Sequence, residues 1–215
     1  MRVCLASTSP ARLMLLRQAG IEPEVRAPGV DEEAVIEATE RAEARRLPAD
    51  EHVQLLARLK AADVADALAA EGFEGYVIGG DSMFALGDDI LGKPYTAEAA
   101  TARWRDMRGR TGVLHSGHSV ILIEDGRMLE AHAVARATVT FAADVDDDEV
   151  AAYVATGEPL NVAGAFTVDS LGGAFIERVE GDPSTVVGMS LSTLRHLVRE
   201  LGGEWTGLWN RGSAS

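Results

Sequence analysis

The spacing of apolar residues changes along the chain, and each change predicts an element. Residues 2–5 form a short apolar run that predicts a buried strand. The run breaks at Ala6-Ser7-Thr8-Ser9-Pro10, and a helical pattern follows to about Ala19. Ser9 suits the N-cap of that helix, Pro10 its first position and Gly20 its C-terminal cap. Residues 21–25 alternate and predict a second strand, whereas 28–33 read as a loop ending in acids. The polar stretch 37–49 reads as a solvated helix or loop. A long helix is expected over 50–70, where Leu55, Leu56, Leu59 and Ala62 give an apolar face. Residues 76–78 predict a buried strand ending at Gly79-Gly80-Asp81-Ser82. Residues 83–86 and 90–91 flank Gly87-Asp88-Asp89 as a hairpin, and Thr96 caps a helix to about Met107.

From Val113 the pattern turns to strand. Residues 119–123 and the alternating 131–141 flank an Asp125-Gly126 turn and predict an antiparallel pair. Asp146 with Glu149 forms a capping-box pattern for a helix ending at Gly157. Strands are expected near 163–168 and 174–178, separated by Gly172-Gly173, and a final helix over 191–201 ends at Gly202. The fold class is α/β: a single domain, residues 1–207, with a mixed sheet flanked by helices, then a polar tail, 208–215, expected to fray.

Composition narrows the classes of function. The 215 residues are 47% hydrophobic and 25% charged, enough apolar material for a folded core. No apolar run approaches the ~18 residues that span a bilayer, which argues against an integral membrane protein. Cys4 is the single cysteine, so no internal disulfide or cysteine-based zinc site is available, and a cytoplasmic location is expected. The net charge of −14 argues against a nucleic-acid polymer as partner. A small anion needs only a few convergent cations.

Several segments could supply that chemistry. Ser7-Thr8-Ser9-Pro10-Ala11-Arg12 would present N–H groups, hydroxyls and a guanidinium at a helix N-terminus, although it lacks the P-loop pattern. Asp81 follows a buried strand, where α/β folds place ligands. Lys93, between Gly92 and Pro94, has a constrained backbone, and Lys60 lies beside the apolar face of its helix. Asp31-Glu32-Glu33 could hold a divalent metal. Taken alone, each also reads as an ordinary cap, turn, surface lysine, core-edge lysine or solvated helix start. Asp144, Asp146 and Asp148 imitate a calcium loop, but Glu149 and Ala155 stand where Gly and Glu are needed. His115 and His118 fall on opposite faces of a strand and suit no shared metal.

In combination the segments are specific. LASTSPARLMLLRQAGI, VDE at 30–32, LARLKA at 56–61, GGDS, LGKP at 91–94 and the 153–197 segment resemble, in that order, the Maf family of nucleotide pyrophosphatases. The resemblance covers roughly residues 3–203. It implies an architecture related to inosine triphosphate pyrophosphatases, often dimeric, and hydrolysis of a nucleoside triphosphate to monophosphate and pyrophosphate. It puts Asp81 on the catalytic aspartate and Ser7, Ser9 and Arg12 on the phosphate-binding loop. Glu32, Lys60 and Lys93 fall on the remaining polar positions, and a divalent cation, Mg²⁺ or Mn²⁺, would engage Asp81 and Glu32. At the three positions that separate the subgroups the chain carries Ala11, Ser82 and Asp169. That set matches neither the dTTP/UTP group (Arg, Thr, Gln) nor the 7-methyl-GTP group (Trp, Gln, Glu), so the base stays open. The family's GRTH segment ends in Gly112 instead of histidine. The resemblance implies a housekeeping enzyme that removes modified or surplus nucleotides. Two further readings are an inosine/xanthosine triphosphate pyrophosphatase and a non-catalytic nucleotide-binding regulator tied to arrest of cell division and septum formation.

Overall fold

A computed structural model describes residues 1–210. Its centre is one seven-stranded mixed sheet in the order β2-β1-β3-β5-β6-β7, with β4 on the far half of β3. The strands are β1 (Arg2–Ala6), β2 (Glu24–Val25), β3 (Gly75–Leu86), β4 (Asp89–Leu91), β5 (Thr111–Glu124), β6 (Arg127–Phe141) and β7 (Ile176–Glu180). β1 runs parallel to β2 and β3, and the remaining pairs are antiparallel. The single-domain α/β reading holds.

Helices cover both faces. The long helix α3 (Ala49–Ala70) lies on one face, where its alanines meet Cys4, Val77, Ile121 and Ile123. α1 (Pro10–Gln18) and α7 (Leu191–Glu200) cover the other, burying Leu16, Leu194 and Val198 against Leu5, Ile78 and Val120. α4 (Ala97–Met107) and α5 (Asp147–Ala155) close a third core at the far end of the long strands. There Phe84, Trp104, Phe141 and Phe166 meet edge to face. α2 (Glu32–Glu43) buries no residue, as its polar sequence predicts, and α6 (Pro183–Val187) is a single capped turn.

Four expectations are corrected. The second strand shortens to Glu24–Val25, because Ile21 turns into the α1–α7 core. β3 does not stop at Gly79-Gly80-Asp81-Ser82 but runs through it to Leu86, twelve residues in all, since β5 pairs with it on both sides of that motif. The strand expected near 163–168 is absent. Short 3-10 helices occupy Glu158–Asn161, Ala163–Ala165 and Leu171–Phe175, leaving only β7 as strand. Gly164 and Ala165 both have positive φ, which breaks any ladder there. Finally, the chain does not fray from 208: Leu208 is buried, and the Asn210 side chain donates to the Glu22 carbonyl at 3.0 Å. The rest of the expected tail, 211–215, lies outside the described residues.

Candidate active site

The site forms where the sheet changes partners. β1 ends at Ala6 opposite Gly79, and β4 begins pairing at Phe84. Between them β3 keeps β5 on one side, while its other edge opens to a cleft of about 800 Å³. Alternation along β3 sends Asp81 toward α3 and Ser82 to the opposite face. The cleft therefore wraps around a bare strand edge and has two walls.

On the α3 wall, Lys60 bridges two acids. Its Nζ lies 2.9 Å from Asp81 Oδ1 and 2.8 Å from Glu32 Oε1. The Lys60 and Asp81 side chains are 8% and 14% exposed and Glu32 50%, so the Lys60–Asp81 pair is the desolvated one. Gly79 makes this approach possible: a Cβ there would stand 2.3 Å from the Ala57 carbonyl of α3. His52 precedes Lys60 by eight residues and shares its helix face. Burial lowers the His52 pKa against the opposing pull of Asp81, Glu40 and Glu32, which keeps the ring neutral near pH 7.

On the opposite wall, Ser9 caps α1 and accepts from the Arg12 amide at 3.4 Å, while Ser7 Oγ accepts from the Ser9 amide at 3.1 Å. The buried Arg12 donates from Nε to the Gly188 carbonyl at 2.9 Å, from Nη1 to Ser7 Oγ at 3.2 Å and from Nη2 to Ser82 Oγ at 3.1 Å. Gly188 also accepts from Ser82 and Ser116, each at 3.1 Å. Burial lowers the Arg12 pKa and Asp81 and Glu32 oppose the shift; the group stays charged at any working pH. A cationic fork at a helix N-terminus facing a Lys–carboxylate array is suited to a polyphosphate that is to be attacked by water.

The ten residues that the resemblance assigns to the site line this one cleft: Ser7, Ser9, Ala11, Arg12, Glu32, Lys60, Asp81, Ser82, Lys93 and Asp169. Their states differ. Lys93 is exposed and has no hydrogen bond or ion pair among the described residues, so its ammonium is free to meet an anion. The Ser82 hydroxyl is committed to Arg12, Gly188 and Ser116. Of the acids at 31–33, Asp31 caps α2 through the Ala34 amide at 3.1 Å, and only Glu32 reaches the cleft. At Gly112 a Cβ would fall 2.2 Å from the Phe84 ring, so this chain has no room for a side chain there.

The sequence reading passed over His52, Ser116, the Gly188 carbonyl and Thr167. His52 carried a signal in its spacing from Lys60. A backbone carbonyl carries none. Among the described residues no group of three or more His, Cys, Asp or Glu side chains could hold a metal by itself. Asp81 and Glu32, however, each present a carboxylate to the cleft beside Lys60 Nζ, and such a pair fits a hard cation that phosphate oxygens and water complete.

A family model described as "Maf-like protein" matches residues 2–201. The chain is 60% identical, over its full length and that of the relative, to a protein of Leifsonia xyli named nucleoside triphosphate pyrophosphatase. It is 53% identical to one of that name from Salinispora tropica, covering 100% of this chain and 90% of the relative. A Streptomyces coelicolor protein, also so named, is 50% identical over 97% of this chain and 94% of its own.

Proposed function

Because the chain belongs to the Maf-like protein family, we propose that it hydrolyses a nucleoside triphosphate to the monophosphate and pyrophosphate, with Asp81 as the base. The observation that carries this reading is the Glu32–Lys60–Asp81 array facing Arg12 and the α1 N-terminus across one cleft. Water attacks the α-phosphorus, Asp81 takes its proton, and the bond to the departing pyrophosphate breaks. Lys60 holds the Asp81 carboxylate at the bare edge of β3. Arg12, Lys93, Ser7 and Ser9 bind the phosphate oxygens and stabilise the leaving group. A divalent cation, Mg²⁺ or Mn²⁺, held by Asp81 and Glu32 would supply additional charge on the phosphates. Ala11 and Asp169 contribute to recognition of the base, while Ser82 acts through Arg12.

The working unit in this reading is the single domain, extended past 207 to include Leu208 and Asn210, as a cytoplasmic homodimer acting on free nucleotides. A net charge of −14 disfavours a nucleic-acid polymer, and no helix among the described residues is long and apolar enough to cross a membrane. The test is incubation with Mg²⁺ or Mn²⁺ and dTTP, UTP, CTP, 7-methyl-GTP and ITP, assaying both products. Pyrophosphate release is expected for at least one nucleotide, reduced about 10²–10⁴-fold in Asp81→Asn. No release from any of them overturns the reading.

A further inference from the structure

We propose that Glu158 is a positioning residue that fixes the nucleoside-facing wall of the cleft, and hence the choice of base, without touching the phosphates. The inference rests on the nucleotide reading above. The cleft has a cationic part, formed by Arg12, Lys60 and Lys93. The wall contributed by 161–169 has no cation: it presents Asn161, Val162, Ala163, Phe166, Thr167 and Asp169. A wall that mixes apolar and uncharged polar groups with one acid and no cation repels phosphate and suits a nucleoside.

That wall has no ladder to hold it. It runs through short 3-10 helices and two successive positive-φ residues, Gly164 and Ala165. The Glu158 carboxylate takes the place of a ladder. Its Oε1 accepts from Tyr153 Oη at 3.0 Å, from the Gly172 amide at 3.0 Å and from Thr167 Oγ1. Its Oε2 accepts from Ser170 Oγ at 2.7 Å and from the Leu171 amide at 3.3 Å. Five donors meet about four lone-pair sites, so the carboxylate is saturated. They hold its pKa down at about 2 against the opposing effect of burial, and the group remains an acceptor throughout the working range.

The geometry leaves little slack. Gly172 packs so closely that a Cβ there would be 2.5 Å from Tyr153 Oη and 2.7 Å from the Thr167 carbonyl. Asp169 lies between two anchored residues, Thr167 and Ser170, and has no hydrogen bond of its own among the described residues. Its place in the cleft is thus set by Glu158.

The variant Glu158→Gln keeps the size but turns an amide NH₂ toward donors. Each nucleotide of the panel and inorganic pyrophosphate are titrated calorimetrically into Asp81→Asn protein with and without Glu158→Gln. The ratio between the tightest and weakest nucleotide should shrink at least fivefold, with pyrophosphate affinity unchanged within twofold. Hydrogen exchange at the Leu171 and Gly172 amides should accelerate at least tenfold. Ser170→Ala, which removes one bond only, should give a smaller change of the same sign and serves if Glu158→Gln does not fold. Equal weakening of pyrophosphate and every nucleotide overturns the proposal, as does unchanged selectivity or a parent that binds all nucleotides alike. Pyrophosphate release by the unmodified chain is scored separately: its absence overturns the pyrophosphatase reading, while the binding ratios still judge Glu158. If no nucleotide binds at all, both fall.

Discussion

At the scale of single residues, Arg12 ties together three segments of one wall that are distant in sequence. Its three bonds reach Ser7, Ser82 and Gly188, and the Gly188 carbonyl takes three donors at once. Lysine cannot replace it, because an ammonium lacks the planar fork that reaches all three acceptors. Arg12→Lys should lower stability by about 1–3 kcal/mol, measured by urea denaturation. It should also raise KM for the preferred nucleotide about tenfold, with a smaller change in kcat. Arg12 was legible in the sequence because Ser9 and Pro10 fix the helix start and therefore the direction of a side chain one turn in. Its partner was not legible. Gly188 acts through a carbonyl that every residue possesses, and only the fold brings it near. Lys60 was ambiguous for a related reason: the helical period places it beside the core, but whether the lysine reaches water or two acids depends on the packing of α2 and β3.

At the scale of elements, helix starts were the most readable feature. Ser9, Thr96 and Asp146 cap the helices they were expected to cap, because each cap is a local hydrogen bond between residues three apart. β3 was misread because glycine has two uses. Gly79-Gly80 resembles a turn, yet Gly79 is needed so that α3 can approach the sheet, and Gly117 does the same on β5, where a Cβ would stand 2.2 Å from the Val53 carbonyl. Strand continuity depends on β5, over thirty residues away, and no local pattern reports that. The consequence can be tested. Gly79→Ala puts a methyl 2.3 Å from the Ala57 carbonyl and 2.8 Å from Ala61 Cβ, both on α3. The helix must shift, at a cost of about 2–4 kcal/mol, and Lys60 shifts with it. Thermal melts should show the loss, and the folded fraction should lose activity as well. Gly207→Ala, whose Cβ would meet only Glu204 Cβ at 3.9 Å, should melt within about 0.5 kcal/mol of the parent.

At the scale of the whole molecule, two electrostatic effects oppose each other as pH falls. With a net charge of −14 and a pI near 4.7, acidification relieves self-repulsion and should stabilise the fold. His118 acts the other way. It is buried at the centre of the sheet, where its Nδ1 donates to the Ala133 carbonyl at 3.3 Å and its Nε2 accepts from the Ser190 amide at 2.8 Å. Only a neutral ring can do both. Burial pushes its pKa down from 6.5 to about 4; nearby Arg12 pushes the same way, and Asp182 opposes. Between those two values the unfolded chain binds a proton that the folded chain refuses, so His118 removes stability as pH drops through that window, by up to about 1.4 kcal/mol per pH unit. His52 and His115, also lowered by burial, add with the same sign. The lowered carboxylates act further down. Glu158 contributes stability above its unfolded value of 4.5 and loses it toward about 2, and Asp182 follows below its own unfolded value of 3.8. Urea denaturation at intervals from pH 7.5 to 3 should therefore show two stages. His118→Gln, which retains an acceptor for the Ser190 amide, should flatten the upper stage and leave the lower one in place. An unaltered slope between pH 6.5 and 4 in that variant would assign the upper stage to the other histidines. A rise in stability over the same window in the parent would mean that relief of self-repulsion outweighs all three.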